Sequence, residues 1–303
     1  MTSGTVLLLG GHMEDGDGRD RKTAAVLQFD PRPGRVVRHW TEGGCRALAS
    51  ARACHTGAAS EGRILVVGGD VDQMGHSNTV ELLGKGKRRF ESKASLDTVR
   101  SGASAAGLGD TVLVCGGFFE RQWHSSCVQY SFEKDAWTLM EETMPFPVAN
   151  AASATTEKAL YLLGGRDEEH HTIDTALCYT TDTGKWTQLP AMTTPRRDAA
   201  AVALPNGHLV VTGGWSEEVG RLSSCEVFDP SMGKWRLLEG ALREGRAFHG
   251  LASLRGVVYA LGGWGSGGKL LASVEAYDER CGVWFTVDEA LPWPMDSFAL
   301  VTL

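Results

Sequence analysis

Ala260-Leu261-Gly262-Gly263 closes an apolar run that the chain writes six times. The others are Leu8-Leu9-Gly10-Gly11, Val66-Val67-Gly68-Gly69, Val114-Cys115-Gly116-Gly117, Leu162-Leu163-Gly164-Gly165 and Val211-Thr212-Gly213-Gly214. Their first glycines stand 58, 48, 48, 49 and 49 residues apart. A period in this range marks a repeat architecture, in which each unit buries its apolar faces against its neighbours. A near-continuous apolar run predicts a strand buried on both faces. The glycines end that strand where backbones crowd, and at least one is expected to need positive φ.

Further landmarks keep phase with the doublet. Phe29, Leu83, Tyr130, Tyr179, Phe228 and Tyr277 follow the first glycine by 14 to 19 residues, and Phe90, Trp137, Trp186, Trp235 and Trp284 follow it by 21 or 22. In the first unit the matching Trp40 comes 30 residues later, an insertion of about eight. These large rings are expected on an outer strand, packed between neighbouring units. Asp30-Pro31, Thr183-Gly184 and Asp229-Pro230 punctuate the turn before that strand. Sixteen residues before five of the doublets stand Arg52, Arg100, Val148, Arg197 and Arg246.

A diglycine, an aromatic and a tryptophan in this phase resemble the kelch repeat, a four-stranded blade of about 50 residues. The resemblance covers the whole chain. It implies an all-β, six-bladed kelch β-propeller with four antiparallel strands per blade. The expected units are residues 296–303 plus 1–44, then 51–92, 99–141, 147–190, 196–239 and 245–288, in one domain spanning 1–303. The segment Gly164-Gly165-Arg166-Asp167-Glu168-Glu169 with Pro195-Arg196-Arg197-Asp198 is most similar to the kelch region of plant F-box/kelch proteins, here without an F-box.

Only a few residues precede Val6, so the first unit lacks an inner strand. Ser297-Phe298-Ala299-Leu300-Val301-Thr302-Leu303 resembles the inner-strand segments elsewhere and restores the 16-residue spacing when joined to Met1. The C-terminal strand is therefore expected beside the N-terminal one, sealing a ring that would otherwise leave two edges open.

Composition narrows the function classes. The 303 residues are 42% hydrophobic and 22% charged, with 38 glycines, 10 prolines and a net charge of −7. That charge argues against nucleic acid, which needs a basic stripe. No stretch of about 18 apolar residues suits a bilayer. The N-terminus reads as a strand rather than a signal peptide. Cys45, Cys54, Cys115, Cys127, Cys178, Cys225 and Cys281 are scattered, without a C-x-x-C pair. They read as reduced thiols, which places the protein in the cytosol or nucleus, as a monomer.

The candidate site is the rim shared by the diglycines and the starts of the inner strands. Three residues past each doublet stand Glu14, Asp72, Glu120, Glu168, Glu217 and Ser266; one past it stand His12, Asp70, Phe118, Arg166, Trp215 and Trp264. An acidic ring with aromatic platforms, Trp123 and Trp293 included, suits a basic peptide or organic cation. The competing reading is that wet loops are simply charged and that the acids pair with the rim arginines, which would be worth little. By the resemblance, Arg52, Arg100, Arg197 and Arg246 bond loop carbonyls. In kelch adaptors that read acidic peptides the binding arginines stand two residues further in. Here those places hold Cys54, Gly102, Asn150, Ala199 and Phe248.

The leading expectation is a non-catalytic protein-interaction module using that rim, as substrate receptor for a ubiquitin ligase, with no cofactor. The alternative is a metal-dependent enzyme holding a divalent ion with His76, His124 and His171 beside Asp72, Glu120 and Glu168. The iron motif of kelch nitrile-specifier proteins and the copper site of galactose oxidase are not matched. Asp15-Gly16-Asp17-Gly18-Arg19-Asp20 fails as a calcium loop, because Arg19 takes a ligand position. Gly263-Trp264-Gly265-Ser266-Gly267-Gly268 has no helix after it to hold a phosphate.

Overall fold

The computed structural model describes residues 5–14, 17, 19–29, 41–42, 47–72, 75–278, 281–288 and 290–303. Trp40, Asp30-Pro31, Cys45 and residues 15, 16 and 18 lie outside them. Among the described residues every regular element is a strand, and no helix is long and apolar enough to cross a membrane. The arrangement is all-β and consistent with a β-propeller.

Six four-stranded antiparallel sheets carry the core among the described residues. The second runs Thr56–Ser60, Arg63–Val67, Val80–Leu83, Phe90–Lys93, and the third Ser104–Leu108, Thr111–Cys115, Cys127–Ser131, Ala136–Leu139. The fourth runs Ala152–Thr155, Ala159–Leu163, Ala176–Thr180, Lys185–Leu189. The fifth runs Ala200–Ala203, Leu209–Thr212, Cys225–Asp229, Lys234–Leu237, and the sixth Gly250–Leu254, Val257–Leu261, Val274–Asp278, Val283–Thr286. In the first, Ala299–Thr302 lies beside Val6–Leu9, followed by Val26–Phe29 and Thr41–Glu42. The pairing of the two chain ends couples Val6 with Thr302 and Leu9 with Ala299.

Each sheet is apolar on both faces because a neighbour covers each. Leu65 and Val67 of the second meet Ala105, Val112 and Tyr130 of the third. Leu113 and Cys127 of the third meet Leu160 and Trp186 of the fourth. Leu163 meets Val211 and Trp235; Val210 and Val227 meet Leu251 and Trp284. Ala252 and Val274 of the sixth meet Val6 and Leu27 of the first, and Leu7 and Val301 meet Ile64 and Val66 of the second. Methylene burial on this scale is the main source of stability.

The phase landmarks have the expected jobs. Trp137, Trp186, Trp235 and Trp284 lie against Tyr130, Tyr179, Phe228 and Tyr277 with ring centres 5.0, 5.5, 5.2 and 5.3 Å apart. These are directly opposed cross-strand pairs. Trp137 and Trp235 also donate to Ala94 O and Pro190 O, at the ends of the preceding sheets. Both glycines of each doublet have positive φ. At Gly164 a Cβ would stand 2.1 Å from Arg196 O, so the crowding is backbone against backbone.

The thiol expectation fails at one place. Cys115 and Cys127 oppose each other across adjacent strands of the third sheet and are disulfide-bonded, with Cα atoms 4.1 Å apart. The reason is register: the residue before the diglycine faces the first residue of the next strand. This bond removes the ground on which a reducing compartment was inferred.

Candidate functional site

After each doublet the chain makes a short ribbon, and the ribbon's first strand also pairs with the segment leading into the inner strand. Asp70–Val71 lies between Gly75–His76 and Arg52–Ala53. His12–Glu14 lies between Asp20–Lys22 and Met295–Asp296. Phe118 bridges Ser101 and pairs with Trp123; Trp215 bridges Arg197 and pairs with Arg221. This fixes His12, Asp70, Phe118, Arg166, Trp215 and Trp264 at equivalent places.

Beneath the ribbons lie buried arginines. Arg52, Arg100 and Arg246 are 1%, 6% and 0% exposed, which takes them off the partner-facing surface. Arg52 Nη1 donates to Gly68 O at 2.9 Å, Arg100 Nη1 to Gly116 O at 3.0 Å and Arg246 Nη1 to Gly262 O at 2.8 Å. They hold the diglycine carbonyls, as the resemblance implied. Glu81 and Glu275 pair with Arg52 and Arg246. Burial lowers the pKa of all three arginines, to about 10 at Arg100.

In the fifth sheet the spacing points one residue too far. Arg196, not Arg197, is the buried residue; its Nη1 donates to Gly213 O at 2.7 Å and its Nη2 to Glu226 at 2.7 Å. The unit is one residue longer between arginine and doublet, with a turn closed by Leu204 N donating to His208 O. Arg197 stays on the rim, its guanidinium carbon 3.7 Å from the centre of the Trp215 ring.

The rim residues are engaged by neighbouring loops, which the acidic-ring reading did not foresee. Lys22 Nζ reaches Asp70 at 3.0 Å and Asp72 at 3.6 Å. His76 meets Phe119 edge-on, and Phe118 stacks on Trp123, which meets His170. Glu217 accepts from Thr172 Oγ1 at 2.8 Å and pairs with Arg197 at 3.2 Å. Burial pushes the Glu217 pKa up, but those hydrogen bonds and the Arg197 charge outweigh it and hold it low. Arg221 lies over Trp264. Glu14 is half-buried, whereas Glu120 and Glu168 are exposed. The rim is a chain of loop-to-loop contacts of mixed charge.

The histidines do not converge. His124 is half-buried beside Arg100, and burial and that charge lower its pKa. His171 is an exposed residue between Asp167 and Glu169, each 3.5 Å away. Among the described residues no group of three His, Cys, Asp or Glu side chains is placed to hold a metal ion. The metal-enzyme alternative therefore lacks its ligand set.

Sequence reasoning reached the site's centre only as the places where kelch adaptors of acidic peptides carry binding arginines, and left it out of the candidate face. Two residues past each buried arginine position stand Cys54, Gly102, Asn150, Asp198, Phe248 and Ser297, with φ of 54, 64, 58, 53, 56 and 52°. Asn150 N donates to Gly102 O, Asp198 N to Asn150 O, Phe248 N to Asp198 O, Ser297 N to Phe248 O and Cys54 N to Ser297 O, at 2.8 to 3.0 Å. Five backbone bonds thus run in series from Gly102 through Asn150, Asp198, Phe248 and Ser297 to Cys54, and all six residues sit in the left-handed region. Asp198, not the Ala199 that equal spacing suggested, occupies the fifth place. Gly102, Asn150 and Asp198 are residue types that favour this conformation, which is the signal the sequence carried.

These six residues are among those lining a cavity of about 230 Å³. Asn150 Nδ2 donates to Asp198 Oδ1 at 2.7 Å, and Arg197 Nε lies 3.4 Å from Oδ2. Burial nevertheless raises the Asp198 pKa to about 6. The protein packed around the cavity mouth likewise holds the solvent-exposed Cys54 thiol protonated, at about 11, and burial keeps His55, whose pKa falls to about 3, neutral. The cavity thus offers shape, an amide, a carboxyl and the 38%-exposed Phe248 ring, without an activated nucleophile.

A family model described as the kelch motif matches residues 100–144, 147–193, 196–240 and 245–288, more than half of the chain. No curated protein matches it.

Proposed function

This chain belongs to the kelch-repeat family, and we propose that it is a non-catalytic protein-interaction module whose partner docks over the cavity lined by Cys54, Gly102, Asn150, Asp198, Phe248 and Ser297. Kelch repeats are commonly protein-interaction modules. The six sheets act as blades of one closed propeller spanning residues 1–303. That reading is supported by the apolar contacts of the sixth sheet with the first and by the pairing of the two chain ends.

The observation that carries the proposal is the set of six backbone-tied residues around one cavity. Rigid backbone presents a partly exposed aromatic, Phe248, at its mouth, with Trp123, Trp215 and Trp264 half-buried on the surrounding ribbons. Aromatic anchors beside a concave centre are what partner surfaces use. The resemblance to plant F-box/kelch proteins extends the reading to substrate reception for a ubiquitin ligase. The rim's mixed charge suits a partner segment that is polar rather than uniformly basic.

Affinity capture with the wild type, Phe248→Ser and Trp215→Ala/Trp264→Ala tests this, after melts show that each variant is folded. Loss of a wild-type partner from both variants is expected. An unchanged set of captured proteins would exclude this face.

A further inference from the structure

The opposite end of the second sheet carries a different surface. Gly84-Lys85-Gly86-Lys87-Arg88-Arg89 joins the sheet's third strand to its outermost one. It shares its end of the sheet with the Glu61-Gly62 turn, since a Cβ on Gly62 would meet Lys85 Cγ at 3.6 Å. Gly68-Gly69 and the Asp70–Val71 ribbon are at the other end of the same strands.

The turn is ordered by its own backbone. Lys87 N donates to Gly84 O at 2.9 Å, and Gly86 takes φ of +70°. Residues 85–89 are all exposed. Lys22, Arg63, Lys93 and Lys158 each reach a carboxylate, while exposed cations such as Arg121, Lys134, Lys185 and Lys234 stand singly on their loops and strands. Among the described residues Lys85, Lys87, Arg88 and Arg89 form no ion pair. The corresponding turns of the third, fourth and fifth sheets contain Glu133-Lys134-Asp135, Asp182-Thr183-Gly184 and Pro230-Ser231-Met232. Four cations on one turn thus stand out in a chain of net charge −7.

We propose that this turn docks an acidic segment of a protein, a short run of Asp and Glu, on the face away from the diglycine ribbons. Arginine forks match carboxylates in two-point geometry, and two adjacent ones with two lysines suit three or four consecutive acids. Charge complementarity is local. The rest of this acidic molecule repels a long polyanion or an anionic membrane, whereas a short segment touches only the turn, within a screening length of about 8 Å. Single-stranded nucleic acid also needs stacking platforms. The adjoining Phe90 is instead packed against the cluster between the first and second sheets. With a partner on the ribbon face, the module would bridge two proteins.

Fluorescent hexaglutamate, titrated against the whole chain at low salt, is the test. The wild type is expected to bind at least about tenfold more tightly than Lys85→Ser/Lys87→Ser/Arg88→Ser/Arg89→Ser, and to lose binding near 0.3 M salt. Trp215→Ala/Trp264→Ala should bind like the wild type, which separates this surface from the ribbon face. Equal binding by wild type and the quadruple variant would overturn the proposal. So would tighter binding of oligothymidylate or phosphatidylserine vesicles than of hexaglutamate.

Discussion

Arg196 donates from Nη2 to Glu226 Oε1 across 2.7 Å, with both side chains at 0% exposure. Glu226 also accepts the backbone N–H groups of Thr193 and Thr194. Arg52 with Glu81 and Arg246 with Glu275 repeat the arrangement, and Ala49 N and Arg243 N repeat the backbone bond. The fourth sheet omits all of it: Val148, Leu177 and Pro145 stand at the places of Arg196, Glu226 and Thr193. Charge pair and backbone donor are replaced together, so that sheet is a natural control.

The control makes the energetics testable by urea unfolding. Arg196→Met leaves a buried carboxylate without its cation and is expected to cost about 3–5 kcal/mol. Arg196→Val with Glu226→Leu copies the fourth sheet at those two places and is expected to recover at least half of that loss, the shortfall reflecting the stranded Thr193 and Thr194 N–H groups. Arg100 has Val128 where the others have glutamate. Arg100→Met orphans only carbonyl and hydroxyl acceptors, and is expected to cost less, about 1–3 kcal/mol. A double variant as unstable as Arg196→Met alone would show that the pair contributes more than mutual compensation.

Acid should destabilise the fold through two histidines. Burial lowers the His55 pKa to about 3, and burial together with Arg246 lowers that of His249 well below its ordinary value. The unfolded chain then binds more protons below pH about 6.5. Stability is therefore present above that pH and lost as pH falls, by about 1.4 kcal/mol per unit for each histidine. Asp198 has the opposite sign: its raised pKa, about 6, favours the protonated native form and offsets part of one histidine between pH about 4 and 6. Unfolding free energies measured from pH 7 to 4.5 should fall, and the slope should flatten in His55→Ala/His249→Ala. An unchanged slope would mean that neither imidazole is kept neutral.

Two of the seven cysteines should label with an alkylating reagent only after reduction, even in denaturant. The pair is Cys115 and Cys127, and peptide mass mapping identifies it. The bond closes a loop with a sequence separation of 12, so Cys115→Ala/Cys127→Ala is expected to lose about 3 kcal/mol on the loop-entropy account. Full labelling of all seven without reductant would show the thiols reduced in solution.

What the chain disclosed in advance, and what it hid, follows from where each feature's cause lies. Diglycines, aromatics and tryptophans were legible because every unit solves the same packing problem with the same residue types. Arg196 was misplaced because counting from the doublet assumes equal turn lengths, and the fifth unit has one residue more. Cys54, Gly102, Asn150 and Phe248 were noted only as places without an arginine; that they form one set with Asp198 and Ser297 was hidden because its cause is bonding between sheets, which places unlike side chains in one backbone conformation. The loop acids looked like a ring because a list of residues does not show that Lys22 and Arg197 already face Asp72 and Glu217.

Removing residues 296–303 tests the architecture itself. Ala299 and Val301 are 5% and 4% exposed and belong to the apolar cluster between the first and second sheets. Their strand is the one that covers Val6–Leu9, and Ser297 supplies both a donor and an acceptor to the backbone chain around the cavity. Without them, Leu7 and Leu9 gain a solvent-facing neighbour and the Val6–Leu9 backbone becomes an open edge. An apolar open edge of this kind pairs with other molecules. The truncated chain is therefore expected to aggregate, or to melt far below the full-length protein without a single cooperative transition. A soluble truncation with a sharp melt near the full-length value would mean that the sheets hold together without the terminal strand, and the ring reading would have to be given up.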